Sequence, residues 1–234
     1  IMKMKNMLIG GMSLALVACI SIGGTLAYLS DNTGTVQNKF QMVTNGIVLN
    51  LQETATPSTG YDVYVKDADG NAQGEKLTGA TTLNADTAND NVGFVYKEIQ
   101  PGATLAKDVK LSIGVEEKDT VSSWVFACME NANTGLTVTV SDDWVPVDTE
   151  GNKTLYLYQG EFATGGTTVN EKYIPKFTGV KSLTSLFTTV GVPTTTEQDA
   201  TFTDITVKGY AEQVDNNTYA GAFANAKNNF GFKG

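Results

Sequence analysis

Apolar and polar residues alternate along most of this chain, in short runs divided by Gly, Pro, Asn and Asp. Phe40-Gln41-Met42-Val43 and residues 46–51 (Gly-Ile-Val-Leu-Asn-Leu) are rich in β-branched and large apolar residues, which is strand material. Residues 61–65 (Tyr-Asp-Val-Tyr-Val) alternate cleanly, and Asp69-Gly70 after them is a tight-turn signal. Residues 94–99 lead into Gln100-Pro101-Gly102, where Pro presets φ and Gly accepts a positive one. Alternation resumes over 105–114, with Leu105, Val109, Leu111 and Ile113 on one side. Residues 124–129 (Trp-Val-Phe-Ala-Cys-Met) are apolar at every position, the pattern of a central strand covered on both faces. Residues 136–140, 155–158 and 202–210 read as further strands, with Asp142-Asp143 as a turn after the first of them. Residues 54–60 read as a linker and 78–91 as a polar loop. Apolar spacing over 181–187 predicts one or two helical turns stopped by Gly191 and Pro193. Residues 219–230, with alanines and phenylalanines at helical intervals, predict a short amphipathic C-terminal helix. Many short strands, few short helices and recurrent turns describe an all-β, jelly-roll-like antiparallel β-sandwich.

The first residues break this pattern. Lys3 and Lys5 precede an apolar run over 7–22, followed by Gly23-Gly24-Thr25-Leu26-Ala27. A basic start, a short apolar stretch and a small-x-small end describe a secretory signal peptide over 1–27, cut between Ala27 and Tyr28. The run is short and glycine-rich for a membrane span, which takes about 20 apolar residues. A retained anchor helix is the alternative, and the membrane would then be met only through this uncleaved segment. Leu16-Val17-Ala18-Cys19 also fits a lipoprotein box, but apolar sequence continues past Cys19 through Ile20, Ile22 and Leu26. Residues 28–234 are expected to form a single β-sandwich domain, secreted to the cell surface or an extracellular matrix.

Charge narrows the function. The chain of 234 residues carries 16 Lys, no Arg and no His, for a net charge of −9. Losing Lys3 and Lys5 with the signal takes this to −11. An acidic, Arg-free surface argues against nucleic acid and anionic lipid, both of which call for clustered positive charge. The absence of His excludes a His-based catalytic triad and a His-ligated zinc site. Cys128, alone after cleavage, sits in an apolar run where thiolate formation is disfavoured. Asp67, Asp69 and Asn71 have calcium-loop spacing at first, but Ala72 stands where the pattern needs Gly, so a hairpin tip is the better reading. The adjacent acids Asp142-Asp143 and Glu116-Glu117 are candidate carboxylate pairs for glycoside hydrolysis, but adjacent acids on turns are usually solvated. No catalytic residue, cofactor or metal is therefore assigned. Residues 174–179 (Ile-Pro-Lys-Phe-Thr-Gly) look superficially like a sorting motif but have one residue too many, and read as a loop.

Three stretches together resemble the TasA/camelysin-like secreted proteins of Gram-positive bacteria. The first is Gly23-Gly24-Thr25-Leu26-Ala27-Tyr28-Leu29-Ser30-Asp31, followed by Asn38-Lys39-Phe40 and the strand after Gly46. The second is Pro101-Gly102 with Lys107-Asp108-Val109 after it, and the third is the late strand ending Tyr210-Ala211-Glu212-Gln213. The resemblance covers both ends and one central hairpin. It implies export through a SipW-type signal peptidase, a jelly-roll sandwich, and assembly into biofilm-type matrix fibres. It also implies that the mature N-terminal segment adds as a strand to the next subunit. Camelysin-like relatives are described as metalloproteases, but this chain has no His-Glu-x-x-His helix, so that activity is not carried over.

Strand addition has its own physical basis. A sandwich edge exposes unpaired N–H and C=O groups that an extended neighbouring segment satisfies. Residues 28–43 are polar enough to stay extended and carry apolar anchors at Tyr28, Leu29, Val36, Phe40 and Met42. Expected partners are thus the signal peptidase and further copies of the chain, with an accessory matrix protein as an open candidate. The alternative is a monomeric surface adhesin or glycan- or protein-binding module. For that reading Trp144, Tyr156 and Tyr158 are the candidate stacking rings, each equally readable as core.

Overall fold

The computed structural model describes residues 38–39, 47–67, 69–85, 93–133, 135–165, 171–197, 200 and 202–233. The protein is all-β, with mostly antiparallel sheets and one helix among the described residues. In chain order the strands are β1 (Asn38–Lys39), β2 (Leu49–Thr56), β3 (Asp62–Lys66), β4 (Ala72–Gln73), β5 (Thr81–Ala85), β6 (Phe94–Lys97) and β7 (Thr104–Asp119). They continue as β8 (Ser123–Asn131), β9 (Thr137–Val140), β10 (Trp144–Glu150), β11 (Lys153–Tyr158), β12 (Thr178–Ser182), β13 (Phe187–Gly191) and β14 (Ile205–Gln213), and the helix is α1 (Tyr219–Asn229).

Two sheets form the sandwich. One runs β1-β14-β8-β11-β10; the other runs β5-β2-β7-β13-β9, with β12 also on β7. A small sheet, β4-β3-β6, stands beside them. The inward rows are read from the period of two. Val125, Ala127 and Met129 of β8, Tyr156 and Tyr158 of β11, and Ile205, Val207 and Ala211 of β14 meet Leu49, Leu51, Val109, Leu111 and Ile113 of the second sheet. Gly209 lies in the inward row of β14 because the layers touch there: a Cβ would stand 2.7 Å from side-chain carbons of both Leu49 and Leu111.

β8 is buried on both faces, as its unbroken apolar run predicts. Its other row, Trp124, Phe126 and Cys128, packs with Leu155, Leu157 and Tyr210 beneath α1. The helix begins where Thr218 accepts a hydrogen bond from the Gly221 N–H, a side-chain cap for an otherwise orphaned donor. Ala222 and Ala226, four residues apart, put small side chains against the sheet and are fully buried. Burying each large ring under the helix contributes about 1.5–3 kcal/mol.

Three expectations need correction. Residues 181–187 are not helical. Ser182 ends β12 and Phe187 begins β13, and both strands pair with β7. Leu183 and Leu186 donate their N–H groups to Leu111 and Val109 of the same strand. The i, i+3, i+4 spacing thus belongs to a crossing between two strands whose Leu183, Leu186 and Phe187 all dip into the core. The loop expected over 78–91 contains β5, a polar edge strand held to β2 by a Thr54–Thr82 hydroxyl contact of 2.8 Å and a Gln52–Asn84 amide bond of 2.7 Å. The linker expected over 54–60 begins inside β2, which runs to Thr56. The Asp69-Gly70 hairpin tip stands as expected: the Asp67 carboxylate accepts from the Asp69 and Asn71 N–H groups.

Candidate functional site

The cleavage residues Ala27 and Tyr28, and the anchors Tyr28, Leu29, Val36, Phe40 and Met42, lie outside the described residues. Within the segment 28–43, Asn38–Lys39 forms β1, which pairs in parallel with β14: Asn38 opposite Val207, Lys39 opposite Lys208. This is the one parallel pairing among the described strands.

The backbone phase of β14 follows from its neighbours. Val214 N–H donates to Ser122 O at 2.8 Å, one step beyond the Gln213–Ser123 pair. Antiparallel pairs alternate between bonded and non-bonded, so Thr206, Lys208, Tyr210 and Glu212 bond to β8. Ile205, Val207, Gly209, Ala211 and Gln213 aim their N–H and C=O groups at the outer edge. Among the described residues that edge is met only by β1.

The opposite edge of the same sheet is β10. Gln159 N–H donates to Asp143 O at 2.7 Å, so by the same alternation Val145 bonds to Leu157 and Pro146 faces outward. The register then shifts between Pro146 and Asp148. Asp148 holds Lys227 of α1 at 2.8 Å, and that ammonium keeps its carboxyl below the usual range.

Trp144, Tyr156 and Tyr158 are core residues, and this corrects their candidacy as stacking rings. Trp144 is 2% exposed, packs edge-on against Tyr158 with centroids 5.1 Å apart, and donates from Nε1 to Thr184 O. Tyr156 and Tyr158 are likewise buried. A stacking platform needs an open ring face, and these rings spend theirs on the sandwich. Aromatic surface is found instead beside the start of α1, where the half-buried Tyr173 and Tyr219 line an open cleft of about 380 Å³ with Glu171 and Asn217, over the buried Trp124. Asp143 is tied down by the Thr184 hydroxyl, and Glu116 and Glu117 are exposed at the end of β7. Cys128 is buried, which pushes its thiol up to about 11. No group of three or more metal-ligating side chains converges among the described residues.

Sequence reasoning passed over a buried charge cluster. The inward row of β7 is Leu105, Lys107, Val109, Leu111 and Ile113; that of β2 is Leu49, Leu51, Glu53 and Ala55. Glu53 and Lys107 therefore meet inside the sandwich, with Lys107 Nζ 2.6 Å from Glu53 Oε1 and side chains 0% and 2% exposed. Lys107 Nζ also lies over the Tyr96 ring, 5.3 Å from its centroid. Lys66 of β3 adds a second buried ammonium, 3.7 Å from Asp204 Oδ2 at the entry to β14. Burial pushes the Glu53 carboxyl up against the pull of Lys107, and lowers Lys66 against the pull of Asp204. The signal was present in the sequence as charged residues standing in the apolar phase of two alternating strands.

No family model, curated protein or solved structure matches the chain, so its site rests on these residues and their geometry alone.

Proposed function

We propose that the protein is a secreted structural subunit that assembles into fibres of a biofilm-type extracellular matrix, as its resemblance to the TasA/camelysin-like proteins implies. In this reading the segment 28–43, freed by a SipW-type signal peptidase, adds as a strand to the β14 edge of the neighbouring subunit. The observation that carries it is the backbone pairing of Asn38–Lys39 with Val207 and Lys208. An edge that accepts a piece of this segment from its own chain presents the same donors and acceptors to the segment of another, the logic of a strand exchanged between protomers. The role is structural and needs no catalytic step.

Negative-stain electron microscopy of the chain beginning at Tyr28, beside the same chain lacking residues 28–36, tests the reading. Fibres from the first and a folded, non-polymerising domain from the second are expected. Fibres from both would remove this segment from the assembly. No fibres from either, across salt and pH, would favour a monomeric binding module working through the Tyr173–Tyr219 cleft.

A further inference from the structure

The Glu53–Lys107 pair is poorly satisfied as an ion pair. Glu53 is fully buried, yet its Oε2 has no hydrogen-bond partner among the described residues. A buried carboxylate oxygen without a donor is costly, because water that would have solvated it is gone. The ammonium is short of partners as well. It has three donors, and the described residues give it one acceptor, Glu53 Oε1, and the face of Tyr96. The cavity beside Lys107 is lined by apolar groups such as Ile99, Leu105, Val190 and Phe202 and measures about 10 Å³, at the lower limit for one water.

Each deficit disappears in one product. We propose that Lys107 and Glu53 condense into an intramolecular isopeptide bond in the folded chain. A proton first passes from Lys107 Nζ to Glu53 within the pair, leaving an amine and a carboxylic acid, which the dry site favours because both charges vanish. The Nζ lone pair attacks Glu53 Cδ and the Nζ–Cδ bond forms. The Cδ–Oε1 bond breaks, and Oε1, which took the proton across the 2.6 Å contact, departs as water with that proton and one proton from Nζ. Oε2 stays as the amide carbonyl. The unpartnered oxygen thereby loses its charge, and the three-donor ammonium becomes an amide with a single N–H. No oxidant, reductant or cofactor enters the balance. Lys66 adds a second positive charge to the same buried cluster. Asp204, partly exposed and paired with Lys66, links that charge to solvent.

The bond would join β2 to β7, whose register runs unbroken from Leu49–Ile113 to Thr56–Ala106. Its mechanical use rests on the fibre reading: β2 is the first strand of the second sheet after the donating segment, so a pull on that segment reaches β2 early. The bond itself does not depend on fibres.

Intact-mass spectrometry of the folded full chain, with peptide mapping, tests it. The expected chain is one water lighter than its sequence mass, with a branched peptide joining the Glu53 and Lys107 segments. Glu53→Gln, whose carboxamide cannot take up the Lys107 proton, and Lys107→Arg are both expected at full mass. A wild-type chain at full sequence mass, or without the branched peptide, overturns the proposal. So does a water loss that persists in Lys107→Arg, which places the dehydration elsewhere. Because the readout is mass, a failure here leaves the fibre experiment untouched, and the reverse.

Discussion

The β10 edge of the five-stranded sheet and its β14 side, covered only over two residues by β1, are built in opposite ways. β10 has a proline at an outward-facing position, so one donor is missing from its free side while the ladder to β11 keeps its bonds. A register shift follows at once, and then the charged pair Asp148–Lys227. These are the devices by which natural sheets discourage further strands. β14 has none of them. It is proline-free, it pairs residue for residue with β8 over its whole length, and its outer backbone groups recur at regular alternate positions. One sheet therefore carries a guarded side and an unguarded one. On the proposed fibre reading, growth through the unguarded side alone would give a directional contact, since a segment leaving one subunit would meet a different surface on the next. Such a head-to-tail contact extends into a filament where its rotation does not close.

The largest expected effect comes from moving the guard. Ala211→Pro removes an outward N–H of β14 and no bond to β8. The monomer should stay folded, with a loss of about 1–3 kcal/mol from crowding near the core. Association should weaken by roughly tenfold, from one lost hydrogen bond and the steric bulk of the ring. Sedimentation of assembled protein and thermal melting of the monomer separate the two, and full assembly would mean that β14 is not the accepting edge. A smaller effect is expected from removing the existing guard. Pro146→Thr restores one outward donor on β10, worth about 0.5–1.5 kcal/mol if a strand pairs with it. The register shift and Asp148 remain, so self-association should rise only modestly; a large rise would make Pro146 the principal guard.

The smallest concerns the ion pair. Asp148→Asn should cost a few tenths of a kcal/mol, because the pair is solvent-screened. The sign of its pH dependence is fixed: the folded carboxyl lies below its ordinary value, so its contribution is present above that value and fades as pH falls through the folded one. Urea unfolding of the wild type and the Asn variant should therefore differ slightly near neutral pH and coincide in acid.

Much of the sandwich was legible because burial repeats locally. The doubly covered β8, the alternation of β7 and the alanine face of α1 can each be read without knowing the neighbour. What escaped depends on partners far along the chain. β5 brings Leu83 against the core, is otherwise largely polar, and is a strand because β2 lies beside it. β10 is hidden by Pro146, which reads as a break until its outward orientation is known. Leu183, Leu186 and Phe187 keep helical spacing, yet β7 claims the backbone on either side of them. Lys107 was passed over because a charge in an apolar phase looks like an error of alternation. Its partner stands 54 residues earlier, and only the pairing of β2 with β7 brings the two together.

Gly209 joins two design problems at a single position. Its missing side chain lets Leu49 and Leu111 close the space between the layers, and its backbone faces outward in the middle of β14. A methyl group there would wedge the sandwich and displace the stretch of edge on which a further strand would lie. The thickness of the interior and the straightness of the rim are therefore not independent variables in this protein. Any lineage that enlarged the one would have had to redesign the other in the same step.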